Sequence, residues 1–412
     1  MSIRPIHHTF GPHVSRKYAL HADRLLLSPW TWNNTKHTNE LRNELEKQFS
    51  ASAHLFGSGR EALLALLRSL RFEQGSEIII QGYTCVALPN AIHTAGYTPV
   101  YADIDLQTLN MDPNAIQGRI SSRTRAIICQ HTFGIPADTE RLSHLCAQHN
   151  IVLIEDCAHM LPDAQGPGTV GKYGEYVLLS FGRDKAISGV LGGAILSRND
   201  GTSALLRQEE SNAHTLAIHT VFRALLYPAL YHKGRMTYGL FGIGKILLFL
   251  AGKLRLLLPV LSASEKQGDM PPHVHKMPPP CAALVRAELS RLGEINAHRR
   301  ALTQYYARYA DTQRWKILPH LTKLPLQKFP LFVQHADDIR AALKKYNIYL
   351  DDSWTGAVVC PRTVHQESTN YLSGSCPHAE RVAREILTLP THPTMTQKQA
   401  DSLLHHLTSL LA

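Results

Sequence analysis

Residues 177–196 read VLLSFGRDKAISGVLGGAIL. An apolar run stops at Ser180, a charged turn carrying Lys185 follows, and a glycine cluster leads into a second apolar run. A lysine in such a turn is ordinarily a solvated charge, so Lys185 acquires another meaning only if the rest of the chain builds a pocket around it. Outward from this stretch lie EIIIQ (77–81), TPVYAD (98–103), RAIICQ (125–130) and IVLIED (151–156), which join YVLLSF (176–181) and GGAILS (192–197) as strand-length apolar runs. Helical patterns such as ALLALLRSL and DTERLSHLCAQH separate several of them. This alternation predicts an α/β fold, a mostly parallel sheet with helices on both faces. Ligands of such sheets bind beyond the carboxyl ends of the strands. The residues that end each run are therefore the candidates for chemistry.

The 412 residues divide by composition into an N-terminal arm (1–49), a large α/β domain (50–205), an apolar basic insert with a proline-rich joint (206–280) and a smaller α+β domain (281–412). A formal charge of +10 suggests anionic partners. No Arg-rich block interleaved with aromatics and no zinc-finger spacing occurs, which argues against nucleic acid. Seven cysteines without a CxxC pair point to a reducing, cytoplasmic setting. His273 and His275 lack partners at ligand spacing, so no metal is expected. In 239–261, Lys245, Lys253 and Arg255 interrupt an apolar run too short between charges to span a bilayer. On a helical wheel the cations share about half the circumference, the composition of an interfacial helix at the inner membrane face. A core or dimer-interface helix has the same pattern.

In FGSGREALLALLRSL (56–70), Ser58 and Glu61 form a capping box before a helix. Gly57 and Gly59 allow a ligand close to the backbone, and the helix N-terminus is a seat for phosphate. Asp156 ends IVLIED, and a carboxylate there needs a cationic or hydrogen-bonding partner. Pyridoxal phosphate (PLP) asks a protein for a lysine, a carboxylate facing its pyridinium nitrogen, a phosphate seat and a surface against the ring. Lys185, Asp156, and Ser180 with Gly59 and Arg60 could fill the first three. A structural aspartate, a surface lysine and a capping serine remain the alternatives at each position.

The ordered blocks SGREAL, GYTCVALPNAIHTAGYTPVYADIDLQTLNMD, CQHTFGIPADTERL, VLIEDCAHML, SFGRDK, ALVRAELSRLGEINAHRR and CPHAERVAREILTLPTHP resemble the DegT-type sugar aminotransferases. The likeness runs from about residue 50 to the C-terminus, except for roughly 205–275. It implies a fold type I PLP enzyme with a seven-stranded-type sheet, a smaller C-terminal domain and a homodimeric assembly. Lys185 would carry the cofactor, Asp156 meet its ring nitrogen, His159 touch its ring hydroxyl, and Ser180, Gly59 and Arg60 bind its phosphate. The reaction implied moves an amino group, from glutamate, to a nucleotide-linked keto-sugar in aminosugar or surface-glycan synthesis. Sugar dehydration, where histidine typically replaces the lysine, and a non-catalytic PLP-binding scaffold are the rival readings. The chain departs from the family pattern at several points. Cys85 occupies the position of the stacking aromatic, leaving its sulfur or Tyr83 to face the ring, and GVLGG replaces G-E-G-G. Lys276 aligns with an arginine that acts across the dimer. His131 and Arg183 lie near the expected pocket mouth as candidate substrate contacts.

Overall fold

Within the strand Glu77–Gln81, Ile78 and Ile80 face one side and Ile79 the other, the two-residue alternation of a sheet covered on both faces. The computed structural model describes residues 4–163, 168–350 and 353–411. Seven strands form the main sheet: β1 (Ser52–Phe56), β2 (Glu77–Gln81), β3 (Thr98–Ala102), β4 (Thr124–Gln130), β5 (Val152–Asp156), β6 (Tyr176–Ser180) and β7 (Gly193–Ser197). Their order is β1-β7-β6-β5-β4-β2-β3. β2 to β6 are mutually parallel, and β7 is antiparallel to both β1 and β6.

The two faces bury different helices. Ile78, Ile80, Ile128, Ile154 and Leu178 pack on one side with Leu63, Leu66 and Leu67 of the helix Gly59–Leu70. Ile79, Ile127, Cys129 and Leu153 pack on the other with Leu142 and Cys146 of the helix Thr139–His149. A three-stranded antiparallel sheet, Lys316–Ile317, Lys328–Phe332 and Ile386–Pro390, is the core of the C-terminal part. Helices Leu292–Thr312, Ala336–Leu343, Pro377–Glu385 and Gln397–Leu411 accompany it.

The N-terminal arm does not hang free. Ile6–His7 pairs in parallel with Ile348–Tyr349, and the helix Arg16–Leu26 packs on the long helix Ile218–Met236. The apolar basic stretch forms only the eleven-residue helix Ile243–Lys253, which ends before Arg255. Among the described residues no helix is long and apolar enough to cross a membrane. The core-helix reading of this segment fails, because Ile243, Ile246 and Phe249 are all exposed.

Candidate active site

β4, β5 and β6 end side by side at Gln130, Asp156 and Ser180, and these three residues line a cavity of about 760 Å³. That volume lies within the range of small-molecule sites, ~300–1,000 Å³. Gly59, Arg60, Cys85, His159, Arg183 and Lys185 line it as well. Eight of the candidates taken from the sequence are thus brought together. His131 and Lys276 are not.

Asp156 is 3% exposed, and its Oδ1 accepts a hydrogen bond from the Ala158 N–H at 2.9 Å. Burial pushes its carboxyl above the usual range, although the Ala158 N–H and the charges of Lys185 and His131 pull the other way. The negative charge is therefore costly as it stands, and a cation brought into the cavity against it would relieve that cost. His159 lies three residues further on, its ring stacked on Phe133 at 17° and edge-on to Trp354. Its Nδ1 accepts from the Phe133 N–H at 3.3 Å, so the ring proton resides on Nε2. Burial, then the charges of Lys185 and Lys328, hold His159 well below the ordinary histidine pKa, which keeps it neutral.

Lys185 occupies a tight loop between β6 and β7. Its N–H donates to the Gly182 carbonyl at 3.3 Å, and its own carbonyl accepts from His13 Nε2 at 2.9 Å. The other nitrogen of His13 meets Glu288 at 2.7 Å, so the N-terminal arm braces the lysine loop from behind. In the same loop Val190 takes φ +68°, a conformation that is strained for a β-branched residue. Asp184 has its carboxyl raised by burial but lowered more by Lys185, Lys328 and Arg183, so it stays below the usual carboxylate range.

The opposite wall is a glycine cradle. A Cβ on Gly59 would lie 2.8 Å from Ser180 Oγ, and one on Gly193 would lie 2.4 Å from the Gly59 nitrogen. Ser58 caps the helix by accepting from the Glu61 N–H at 3.3 Å, and the first N–H groups of that helix have no partner within it. Glu61 would place a carboxylate beside this anion seat. His275 draws it aside instead, its Nδ1 3.0 Å from Glu61, a contact that raises the His275 pKa chiefly through that hydrogen bond.

Three expectations are corrected, at Arg60, His131 and Tyr83. Arg60 does not aim its guanidinium at the cradle: it pairs with Glu265 and donates to the Val260 carbonyl, so only its backbone faces the seat. His131 is fully buried, with Nδ1 accepting from the Ala137 N–H and Nε2 3.2 Å from Glu155, and it contacts no ligand space. Tyr83 is buried too and donates its hydroxyl to the Trp354 carbonyl, leaving Cys85 as the cavity residue of that segment. Lys276 is exposed, bridged to Phe56, and outside the cavity of its own chain. His131, Glu155 and Cys157 form a group of potential metal donors, but the Glu155 oxygens already accept from the N–H groups of Gly171, Tyr173 and Gly174, and the buried Cys157 thiol is pushed far up in pKa. Trp354 and the buried Lys328 are site neighbours the sequence did not announce.

The residues present fit PLP. A buried carboxylate lacks a full countercharge, a lysine shares its cavity, and glycines open a path to a helix N-terminus. The sequence profile of the DegT/DnrJ/EryC1/StrS aminotransferase family matches residues 17–225 and 259–408. A GDP-perosamine synthase of Escherichia coli O157:H7 is 30% identical over 194 residues, 47% of this chain and 53% of that protein. A UDP-N-acetyl-3-dehydro-alpha-D-glucosamine 3-aminotransferase of Acidithiobacillus ferrooxidans is 25% identical over 85% of this chain and 82% of its own length. The chain therefore spans about half the length of the perosamine synthases it matches and most of the third relative. Among solved structures, an aminotransferase from Psychrobacter cryohalolentis superposes with a TM-score of 0.72 at 20% identity over 96% of both chains. Helicobacter pylori PseC, an aminotransferase of pseudoaminic acid biosynthesis, gives 0.71 at 18% over 95% of this chain and 96% of its own. The fold is fold type I.

Proposed function

Because the chain belongs to the DegT/DnrJ/EryC1/StrS aminotransferase family, we propose that it is a PLP-dependent aminotransferase acting on a nucleotide-linked keto-sugar, with glutamate as amino donor. The observation that carries this reading is the meeting of Lys185, Asp156 and the Gly59–Ser180 cradle in one cavity. Bound PLP supplies an electron sink for the carbon that loses its proton. The protein's own groups do the rest. Asp156 accepts a hydrogen bond from the protonated ring nitrogen and holds that proton in place. Ser180 and the N–H groups of Gly59 and Arg60 anchor the phosphate. Lys185 is the residue that would hold the cofactor, and its Nζ, when free, would carry the proton that moves during the reaction. Neutral His159, ring proton on Nε2, donates toward the ring hydroxyl. Arg183, whose guanidinium lies 4.8 Å over Tyr227, stands at the cavity wall as a substrate contact.

The enzyme works as a cytoplasmic homodimer, in which exposed Lys276 reaches the partner's cavity, and it sits peripherally at the inner membrane face through 239–261. The deciding experiment is the near-ultraviolet and visible spectrum of the protein with PLP, before and after glutamate, beside Lys185→Ala. A long-wavelength band that glutamate removes, absent from the variant, is the expected result. A bound cofactor that ignores glutamate and other amino donors would favour the dehydratase or scaffold reading.

A further inference from the structure

From Ser211 to Ser264 the chain contains no aspartate or glutamate, yet it carries Arg223, Lys233, Arg235, Lys245, Lys253 and Arg255. The family profile leaves 226–258 unmatched, so most of this acid-free stretch lies outside what the family shares. It folds as a helix pair. Gly234 of Ile218–Met236 and Gly244 of Ile243–Lys253 meet so closely that a Cβ on Gly244 would lie 1.9 Å from the Gly234 carbonyl oxygen, and one on Gly234 would lie 2.7 Å from Leu248. The two glycines fix the short helix on the long one, and Tyr238 ties the turn to Tyr349 at 2.9 Å. What this crossing leaves outside is unusual. Phe241 is fully exposed, Leu254 is 68% exposed and Phe249 61%, with Ile243, Ile246 and Leu250 beside them. Large apolar side chains gathered in this way mark a contact surface.

We infer that this face docks on an anionic membrane surface, a reading that rests on the peripheral placement proposed above and names its lipid partner and contact residues. Two of the six cations are engaged internally, Arg223 with the Leu257 carbonyl and Arg235 with that of Thr394. Lys245, Lys253 and Arg255 face solvent among the exposed apolar residues, and Lys253 lies over the Phe249 ring at 5.6 Å. Apolar anchors that insert into the acyl boundary and cations that meet lipid phosphates are the two requirements of interfacial binding. A second copy of the chain fits less well. An isologous interface brings the same patch together from both subunits, which would set these cations against one another with no acid in the stretch to answer them. The segment that follows, Leu258–Leu261, lines the active-site cavity. Docking therefore holds this wall of the cavity close to the bilayer.

The test is co-sedimentation of the full-length, PLP-loaded protein with vesicles of phosphatidylglycerol or of phosphatidylcholine. Binding to the anionic vesicles alone, weakened by high salt, is expected. Each of Lys245→Gln, Lys253→Gln and Arg255→Gln should weaken it about fivefold, so the triple variant loses on the order of a hundredfold. Phe241→Ser with Phe249→Ser should abolish it, and glutamate should still remove the visible band of every variant. Equal recovery with both vesicle types, or binding indifferent to these substitutions, would overturn the inference. So would an oligomer that Phe241→Ser and Phe249→Ser dissolve while the native protein ignores vesicles. Loss of the glutamate response in the native protein would instead count against the catalytic reading and leave the docking result standing.

Discussion

Asp156→Asn separates a cofactor-binding carboxylate from a structural one. Asp156 is buried, hydrogen-bonded to one backbone N–H, and raised in pKa by desolvation. An acid whose folded pKa exceeds its unfolded value contributes most below the unfolded value, and that contribution is lost as pH rises through the folded pKa. The apo protein should therefore lose stability over the window from the ordinary carboxylate pKa to the raised one. The asparagine variant should lack that slope and be no less stable than the native apo protein at neutral pH. With cofactor present the ranking reverses. A hydrogen bond to a charged group contributes about 1.5–3 kcal/mol, which corresponds to a Kd about 10–150-fold weaker in the variant. At a PLP concentration a hundred times the native Kd, the native protein gains ~2.7 kcal/mol and the variant only about 0.3–1.4. With an unfolding entropy of ~2.1 cal/mol/K per residue over 412 residues, the cofactor-induced rise in Tm should fall from about 3 °C to under about 2 °C. Thermal melts of both proteins, with and without PLP, across pH 4–8 (a range spanning the carboxylate window) read every arm. A variant that is less stable without PLP yet keeps the full cofactor shift would refute the reasoning.

Gly193→Ala should destabilise the protein by about 1–3 kcal/mol and weaken PLP binding together, because its Cβ meets the Gly59 backbone that forms the cradle; denaturant melts and a PLP titration measure the two effects. Lys185→Ala should keep PLP reversibly bound but lose the long-wavelength band, and dialysis should strip it where the native protein resists. Glu155→Gln should cost about 3–5 kcal/mol, since an amide nitrogen would replace one of the oxygens that accept from Gly171, Tyr173 and Gly174. Burial raises the Glu155 carboxyl, but His131 and the Gly174 and Gly171 N–H groups outweigh it and hold it low. The stability difference between native and Gln forms should thus be full above the ordinary glutamate pKa and shrink as pH falls through the lowered one, as melts from neutral to acid pH would show.

Six strands of the main sheet were legible because their isoleucine, valine and leucine runs pack on both faces. β1 was not: SAHLF carries Ser52 and His54 and lies at the sheet edge. The rule that strand ends carry chemistry placed Asp156 and Ser180 correctly in the cavity. It failed at His131, since the chain after β4 turns through Phe133 and Gly134, both at positive φ, and the imidazole goes under the sheet to Glu155. Arg60 was misread for a different reason. Its partner Glu265 is remote in sequence, and nothing near SGREAL signals that a distant carboxylate takes the guanidinium. Trp354 is a lone aromatic in an irregular segment, and Lys328 opens its strand as a charged boundary residue, so neither carried a periodic signal.

The N-terminal arm bears on how the molecule can move. Its residues pair with Ile348–Tyr349, His8 meets Thr388 at 2.9 Å, the Pro12 carbonyl accepts from Thr394, and His13 holds the Lys185 carbonyl. The C-terminal part is thus moored by this cross-tie in addition to the proline-rich joint and to contacts such as the pairing of Val359–Cys360 with Thr84–Cys85. A rigid swing about the joint alone would shear the arm's ladder and tug the lysine loop with it. Amide exchange at Ile6 and His8 would reveal such shearing; slow exchange that persists when substrate is bound would mean that the cavity admits its ligands by local loop displacement, with the two parts of the chain held at a constant angle.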